Sequence, residues 1–209
     1  MTLVSDLKRL VPMPVRRMYR SQKNRQAIRQ WEKDGMPVPP PHALKQLVVK
    51  TYQRKYGCHT LVETGTYMGA MVDAQIPNFK TIYSIEIDHG LWAAQHERFK
   101  GRPSVHIIEG DSGVMLRTII PQLDAAAVFW LDGHYSGTGT GKGSKECPIY
   151  EELNVIFESP YNHILLIDDA RCFNGTSDYP TIEELFDFVR SRRPGAKMEV
   201  ENDIIRIVV

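Results

Sequence analysis

Apolar and polar positions alternate between helical and strand spacing along most of the chain. Residues 43–56 space Leu44, Leu47, Val48 and Tyr52 as one face of a helix. Residues 59–63 read as a short strand ending in a glycine turn, and 66–74 as a helix. A strand over 81–87 leads to a helix over 91–99, a strand over 104–109 to a helix over 112–120. Two buried apolar strands, 126–131 and 163–167, flank a Gly-rich loop and a helix over 149–158. Thr181-Ile-Glu-Glu184 is a capping box opening a helix to residue 192. Strands over 198–201 and 204–209 close the chain around a tight Asn202-Asp203 turn. Five strand–helix units and a terminal strand pair predict an α/β fold with a mainly parallel sheet covered on both faces. The short last turn makes the final two strands antiparallel neighbours.

Upstream, Pro12 and Pro14 predict that a helix starts no earlier than residue 15 and runs to 33. Gly35-Met-Pro-Val-Pro-Pro-Pro41 then predicts a stiff extended linker. Residues 1–41 therefore form an arm and linker, and 42–209 the folded body.

Composition excludes several classes. The 209 residues are 42% apolar and 24% charged, against disorder, collagen or coiled coil. The longest apolar run is seven residues, 125–131, where a membrane span needs about 20. Asp6, Lys8 and Arg9 interrupt the start of the chain, so no secretory signal is expected there. Cys58, Cys147 and Cys172 are odd in number and widely spaced, as for reduced thiols in a cytoplasmic protein. The net charge of +1 conceals an uneven distribution: residues 1–33 hold nine Lys/Arg and two Asp/Glu (+7), the rest 17 and 23 (−6). An acidic body argues against a nucleic-acid-binding core. The basic arm is expected to dock on its own body or a second subunit, or to meet an anionic membrane or acidic glycan carrier.

Ligands of open α/β sheets bind at the carboxyl ends of strands. The first strand ends in Glu63-Thr-Gly65-Thr66-Tyr-Met-Gly69, where glycines allow a tight turn and close approach. An acid in place of the first glycine of G-x-G-x-x-G suits a cationic ligand and disfavours a pyrophosphate. Glu86 ends the second strand, 21 residues after Gly65, where an acid can accept ribose hydroxyls. Asp111 and Ser112 end the third beside an adenine edge. Each acid alone reads equally well as a helix cap; three at successive strand ends point to a nucleotide.

These motifs resemble class I S-adenosylmethionine-dependent methyltransferases, over residues 43–209. The resemblance implies a Rossmann-like seven-stranded sheet of order 3-2-1-4-5-7-6 with strand 7 antiparallel. It implies that Glu63, Gly65, Thr66 and Gly69 hold the methionine end of S-adenosylmethionine, Glu86 the ribose, and Asp111 with Ser112 the adenine. Within that superfamily the chain looks most like a bacterial group of unassigned substrate carrying Leu-Asp-Gly-His-Tyr-Ser-Gly (131–137) and Ile-Asp-Asp-Ala-Arg (167–171).

Asp132 ends the fourth strand and Asp168-Asp169 the fifth. Adjacent strands lie about 4.8 Å apart, so these carboxylates can converge on a hard cation, Mg²⁺, Mn²⁺ or Ca²⁺. The bland alternative makes them loop caps. The arrangement resembles metal-dependent O-methyltransferases acting on catechols and on sugars. In the sugar group the residue two after the first Asp takes the hydroxyl proton; here it is His134, where those enzymes often carry Asp. The catechol group's lysine is replaced by Tyr135. Of the seven histidines only His134 has such a context.

Residues 137–144 fail the phosphate-loop pattern and read as a lid over the acceptor. The expected activity is metal-assisted O-methylation of a sugar, glycan precursor or other small polar acceptor. Alternatives are N-methylation of RNA, DNA or protein, lowered by the absence of an Asn/Asp-Pro-Pro-Tyr/Phe motif after strand 4, and a non-catalytic nucleotide-binding module.

Overall fold

A computed structural model describes residues 13–133 and 147–209, the side chains of residues 13–18 and 20 excepted. The elements run α1 (Met13–Lys33), α2 (His42–Tyr56), β1 (Thr60–Thr64), α3 (Ala70–Gln75), β2 (Thr81–Glu86), α4 (His89–Phe99), β3 (Val105–Glu109), α5 (Ser112–Ile119), β4 (Val128–Leu131), α6 (Ile149–Ile156), β5 (Ile164–Ile167), α7 (Ile182–Arg192), β6 (Lys197–Glu201) and β7 (Ile204–Val208). Short 3₁₀ turns follow α5 and β5.

The sheet order is β3-β2-β1-β4-β5-β7-β6, with β7 antiparallel to both neighbours and every other pairing parallel. Parallel strands buried on both faces carry apolar residues continuously, and successive side chains go to opposite sides. In β4, Val128 and Trp130 join the core under α2, α3 and α4, while Phe129 and Leu131 join the core under α5, α6 and α7. The outer strand β6 is blunted by exposed Lys197, Glu199 and Glu201, which discourages further edge pairing.

Local signals acted as the pattern predicts. Thr181 and Glu184 close both halves of the capping box. Asn202 (φ 54°) and Asp203 (φ 61°) make the two-residue left-handed turn that matches strand twist. Three expectations differ. Helix α1 begins at Met13 and includes Pro14, because a proline in the first turn lacks only an N–H that would have no partner anyway. Residues 66–69 are a loop, with Tyr67 at φ 46° and Gly69 at φ 67°, so α3 starts at Ala70. The proline linker folds back instead of running straight: the indole of Trp31 is buried and donates to the Pro37 carbonyl at 2.7 Å. The arm helix lies against α2, Asn24 Nδ2 donating to Gln46 Oε1 at 3.3 Å. Among the described residues, no helix is long and apolar enough to cross a membrane.

The β6–β7 turn is tied to the end of β5. Asp203 accepts from the Arg171 backbone N–H at 2.8 Å and from its guanidinium, and its carbonyl accepts from Ala170 N at 2.9 Å. Asp203→Ala is expected to cost about 2 kcal/mol, since it orphans donors beside a buried carboxylate position. Thermal denaturation should show a fall of roughly 5 °C, with Asn202→Gly close to neutral in the same assay.

Candidate functional site at the strand ends

Connections leave β1 and β4 in opposite directions, so their carboxyl ends form the switch point of the sheet. Gly65 sits there with φ 85°. A Cβ on it would lie 2.5 Å from the carbonyl oxygen of Asp132. The glycine thus allows close contact between the β1 and β4 loops. Gly69 likewise makes room for Phe99 and Gln95 of α4, whose atoms would stand 2.8 and 2.9 Å from a Cβ. Thr64 fastens the same two loops: its hydroxyl accepts from Asp132 N at 3.3 Å and Gly133 N at 3.2 Å.

The acids of the first three strands face this edge. Glu63 is buried and accepts from Ser84 Oγ at 2.5 Å; that hydroxyl also meets Thr66 Oγ1 at 2.6 Å. Burial pushes Glu63 up to about 8, against the pull of Ser84 and with a further push from Glu86. Glu86 is buried, and its two oxygens accept separately from Tyr67 N (2.7 Å) and Asp88 N (3.0 Å). Those bonds hold the β1 and β2 loops together and leave lone pairs on both oxygens. Asp111 takes the N-cap position of α5 but makes no side-chain cap bond.

Glu152 was not anticipated. It is fully buried on α6 and lies near Thr64, Ser112 and Gly133, yet neither carboxylate oxygen has an aligned hydrogen-bond partner. Burial pushes it up to about 7, partly offset by the nearby Ser112 and Thr64 hydroxyls.

Asp132, Asp168 and Asp169 lie within electrostatic reach of one another, but among the described residues no group of three or more Asp, Glu, His or Cys side chains is placed to hold a metal ion. Asp132 is raised well above the carboxylate range by burial and then by Asp168; Asp169 and Glu63 add to the push. Glu63 and these carboxylates therefore lie at neighbouring strand ends along one edge of the sheet. Lys45, also unanticipated, reaches this edge from α2. Its Nζ lies 2.5 Å from Asp168 Oδ2 and 3.2 Å from Asp169 Oδ1. Burial opposes its charge, but the two carboxylates outweigh burial and hold Lys45 protonated. Burial acts to raise Asp169, yet Lys45 and Arg171 bring it below the usual range. Arg171 Nη1 bonds Asp169 Oδ1 at 2.9 Å, and Asp169 N donates to Asp168 Oδ1 at 2.8 Å. His42, at the exposed start of α2, has its pKa lowered by desolvation and by Lys45.

The missed charges carried a sequence signal. Lys45 shares a helical stripe with Val48, Val49 and Tyr52, and Glu152 with Ile149, Leu153 and Ile156. A charge on an apolar stripe is either buried and paired or misplaced. His134, Tyr135 and the loop over 137–144 lie outside the described residues.

No protein-family model and no curated protein matches the sequence. Solved structures match the fold. The O-methyltransferase TomG from Streptomyces achromogenes, in complex with SAM, has a TM-score of 0.57 at 13% identity, over 89% of this chain and 88% of its own. The SAH-bound methyltransferase PaMTH1 of Podospora anserina has 0.57 at 17%, over 95% and 97%. An O-methyltransferase from Bacillus cereus, in complex with SAH, has 0.56 at 14%, over 90% of each. At such identities the likeness is one of fold, and the chain has the seven-stranded Rossmann-like fold of class I methyltransferases.

Two outcomes follow for the site. Gly65→Ala should lose about 3 kcal/mol, from a backbone clash at positive φ, whereas Gly57→Ala, at positive φ in open space, should lose about 1; urea denaturation compares them. Glu63 and Glu152 keep their protons in the native state up to about 8 and about 7, from an ordinary value of 4.5. Their contribution to stability is therefore complete below pH 4.5 and lost as pH rises through 7 to 8. A urea midpoint that falls over this window, less steeply in Glu63→Gln, is the expected result.

Proposed function

We propose that the chain is an S-adenosylmethionine-dependent O-methyltransferase acting on a hydroxyl of a sugar, glycan precursor or other small polar molecule. The observation that carries this reading is the junction of the β1 and β4 strand ends, where Thr64 Oγ1 accepts from Asp132 N and Gly133 N and Gly65 packs on the Asp132 carbonyl. A cofactor loop and a carboxylate cluster at one switch point are what transfer from a cationic donor to a polar acceptor requires. The fold shared with SAM- and SAH-bound methyltransferases supports it.

The residues present fit the cofactor. S-adenosylmethionine, when bound, supplies a methyl group on a sulfonium. Glu63, Gly65, Thr66 and Gly69 would hold its methionine end. Glu86 keeps free lone pairs for a ribose diol, and Asp111 with Ser112 would lie at the adenine. Glu152, with both oxygens unpaired, is an acceptor that a cofactor amino group would satisfy.

In the transfer a bond forms between the acceptor oxygen and the methyl carbon while the sulfur–methyl bond breaks, and the hydroxyl proton must leave. A neutral imidazole is a suitable base near pH 7. His134, two residues after Asp132, is the proposed base, and Asp132 the carboxylate facing the acceptor. Positioning supplies much of the remaining acceleration. No step is assigned to a divalent metal, because Lys45 already holds two of the three carboxylates that would bind it.

Titration calorimetry tests the cofactor. One S-adenosylhomocysteine or S-adenosylmethionine per chain is expected; no heat with either ligand removes the reading. Glu63 carries a proton at neutral pH in the free protein, and a cationic ligand beside it favours the carboxylate. S-adenosylmethionine should thus release a proton on binding and bind more tightly as pH rises toward 8. Measured in buffers of different ionisation enthalpy, Glu63→Gln should abolish that release. For the base, the acid limb of the pH–rate profile should flatten in His134→Gln and persist in His42→Gln.

A further inference from the structure

Three carboxylates at neighbouring strand ends are the donor set of a hard divalent cation. Here the protein's own ammonium stands among them. Lys45 Nζ contacts Asp168 Oδ2 and Asp169 Oδ1, at 2.5 and 3.2 Å, and lies within electrostatic reach of Asp132. Asp168 Oδ1 accepts the Asp169 N–H, and Asp169 Oδ1 also accepts from Arg171. A Mg²⁺ ion needs close to octahedral oxygen geometry at about 2.1 Å. One oxygen of each β5 carboxylate, Asp168 Oδ2 and Asp169 Oδ1, already meets a cation, so the ion would sit beside an ammonium bonded to the same groups.

Displacing Lys45 is not a simple swing into water. The residue is 7% exposed and shares the buried stripe of α2 with Val48, Val49 and Tyr52. Moved aside, its ammonium would be buried without a partner or would drag the helix with it. Among the described residues no group of three or more Asp, Glu, His or Cys side chains is placed to hold a metal ion, and the counter-charge of Asp168 and Asp169 is Lys45.

The geometry points to Lys45 as the built-in replacement for a divalent metal: it neutralises Asp168 and Asp169, and the folded protein takes up no divalent ion at this cluster. An ammonium offers hydrogen bonds and charge but no open coordination position, so it orders the carboxylates without acting as a Lewis acid. The consequence that methyl transfer proceeds in EDTA rests on the proposed function; the statement about metal binding does not.

Mn²⁺ titration of the full chain, followed by electron paramagnetic resonance, tests this. Wild type should leave the free-ion spectrum unchanged, whereas Lys45→Ala should bind one Mn²⁺ at least ~10-fold more tightly than wild type. Adding Asp168→Asn should remove that gain. Lys45→Gln, which keeps most of the side-chain volume, serves if the alanine variant does not fold. Saturable Mn²⁺ binding by wild type that Asp168→Asn abolishes overturns the proposal. So does a folded Lys45 variant that binds no Mn²⁺, because the cluster is then no cation site. Calorimetry with S-adenosylhomocysteine on the same wild-type sample reports separately on the methyl-transfer reading, and its failure leaves the Mn²⁺ result standing.

Discussion

Parallel strands that end side by side bring their terminal acids side by side, and relief of that repulsion organises this molecule. Asp132, Asp168, Asp169 and Glu63 stand at neighbouring strand ends, within electrostatic reach of Asp132. Carboxylates so close and so buried cannot all stay ionised without a counter-charge. The structure uses both remedies. The β5 pair is matched by Lys45 and Arg171, while burial and then Asp168 raise Asp132 well above the carboxylate range.

The counter-charges also hold the architecture together. Lys45 pins the start of α2 to the end of β5, and Arg171 carries the network on to Asp203 in the β6–β7 turn. One chain of charged groups thus joins the helix before the sheet, its centre and its last hairpin. The buried ion pairs are poor contributors to net stability, because desolvation offsets much of their attraction. Their value is positional: each fixes the geometry of a loop that has no regular structure of its own.

The cofactor side is built on a different economy of contacts. Backbone N–H groups of Tyr67 and Asp88 meet one carboxylate, Glu86, and hydroxyls of Ser84 and Thr66 line up on another, Glu63. Gly65 lets the β1 loop close on the β4 loop, so the two halves of the cleft are held at contact distance before any ligand arrives. Glu152 adds a buried acid at this edge with no aligned hydrogen-bond partner among the described residues.

Much of this was legible in the sequence, for a physical reason. Strand and helix periods, the Thr181–Glu184 capping box and the Asn202–Asp203 turn are local, and local chemistry decides them within a few residues. The βα alternation then leaves few topologies, and the acids at strand ends follow from it. The sequence by itself thus determined the element order, the sheet and the identity of the acidic edge. Tertiary structure alone decided what those acids face. Lys45 and Asp168 are 123 residues apart, and nothing in either neighbourhood specifies the other. An ammonium and a carboxylate interact strongly only within a few ångströms, so which of them meet is a property of the folded sheet.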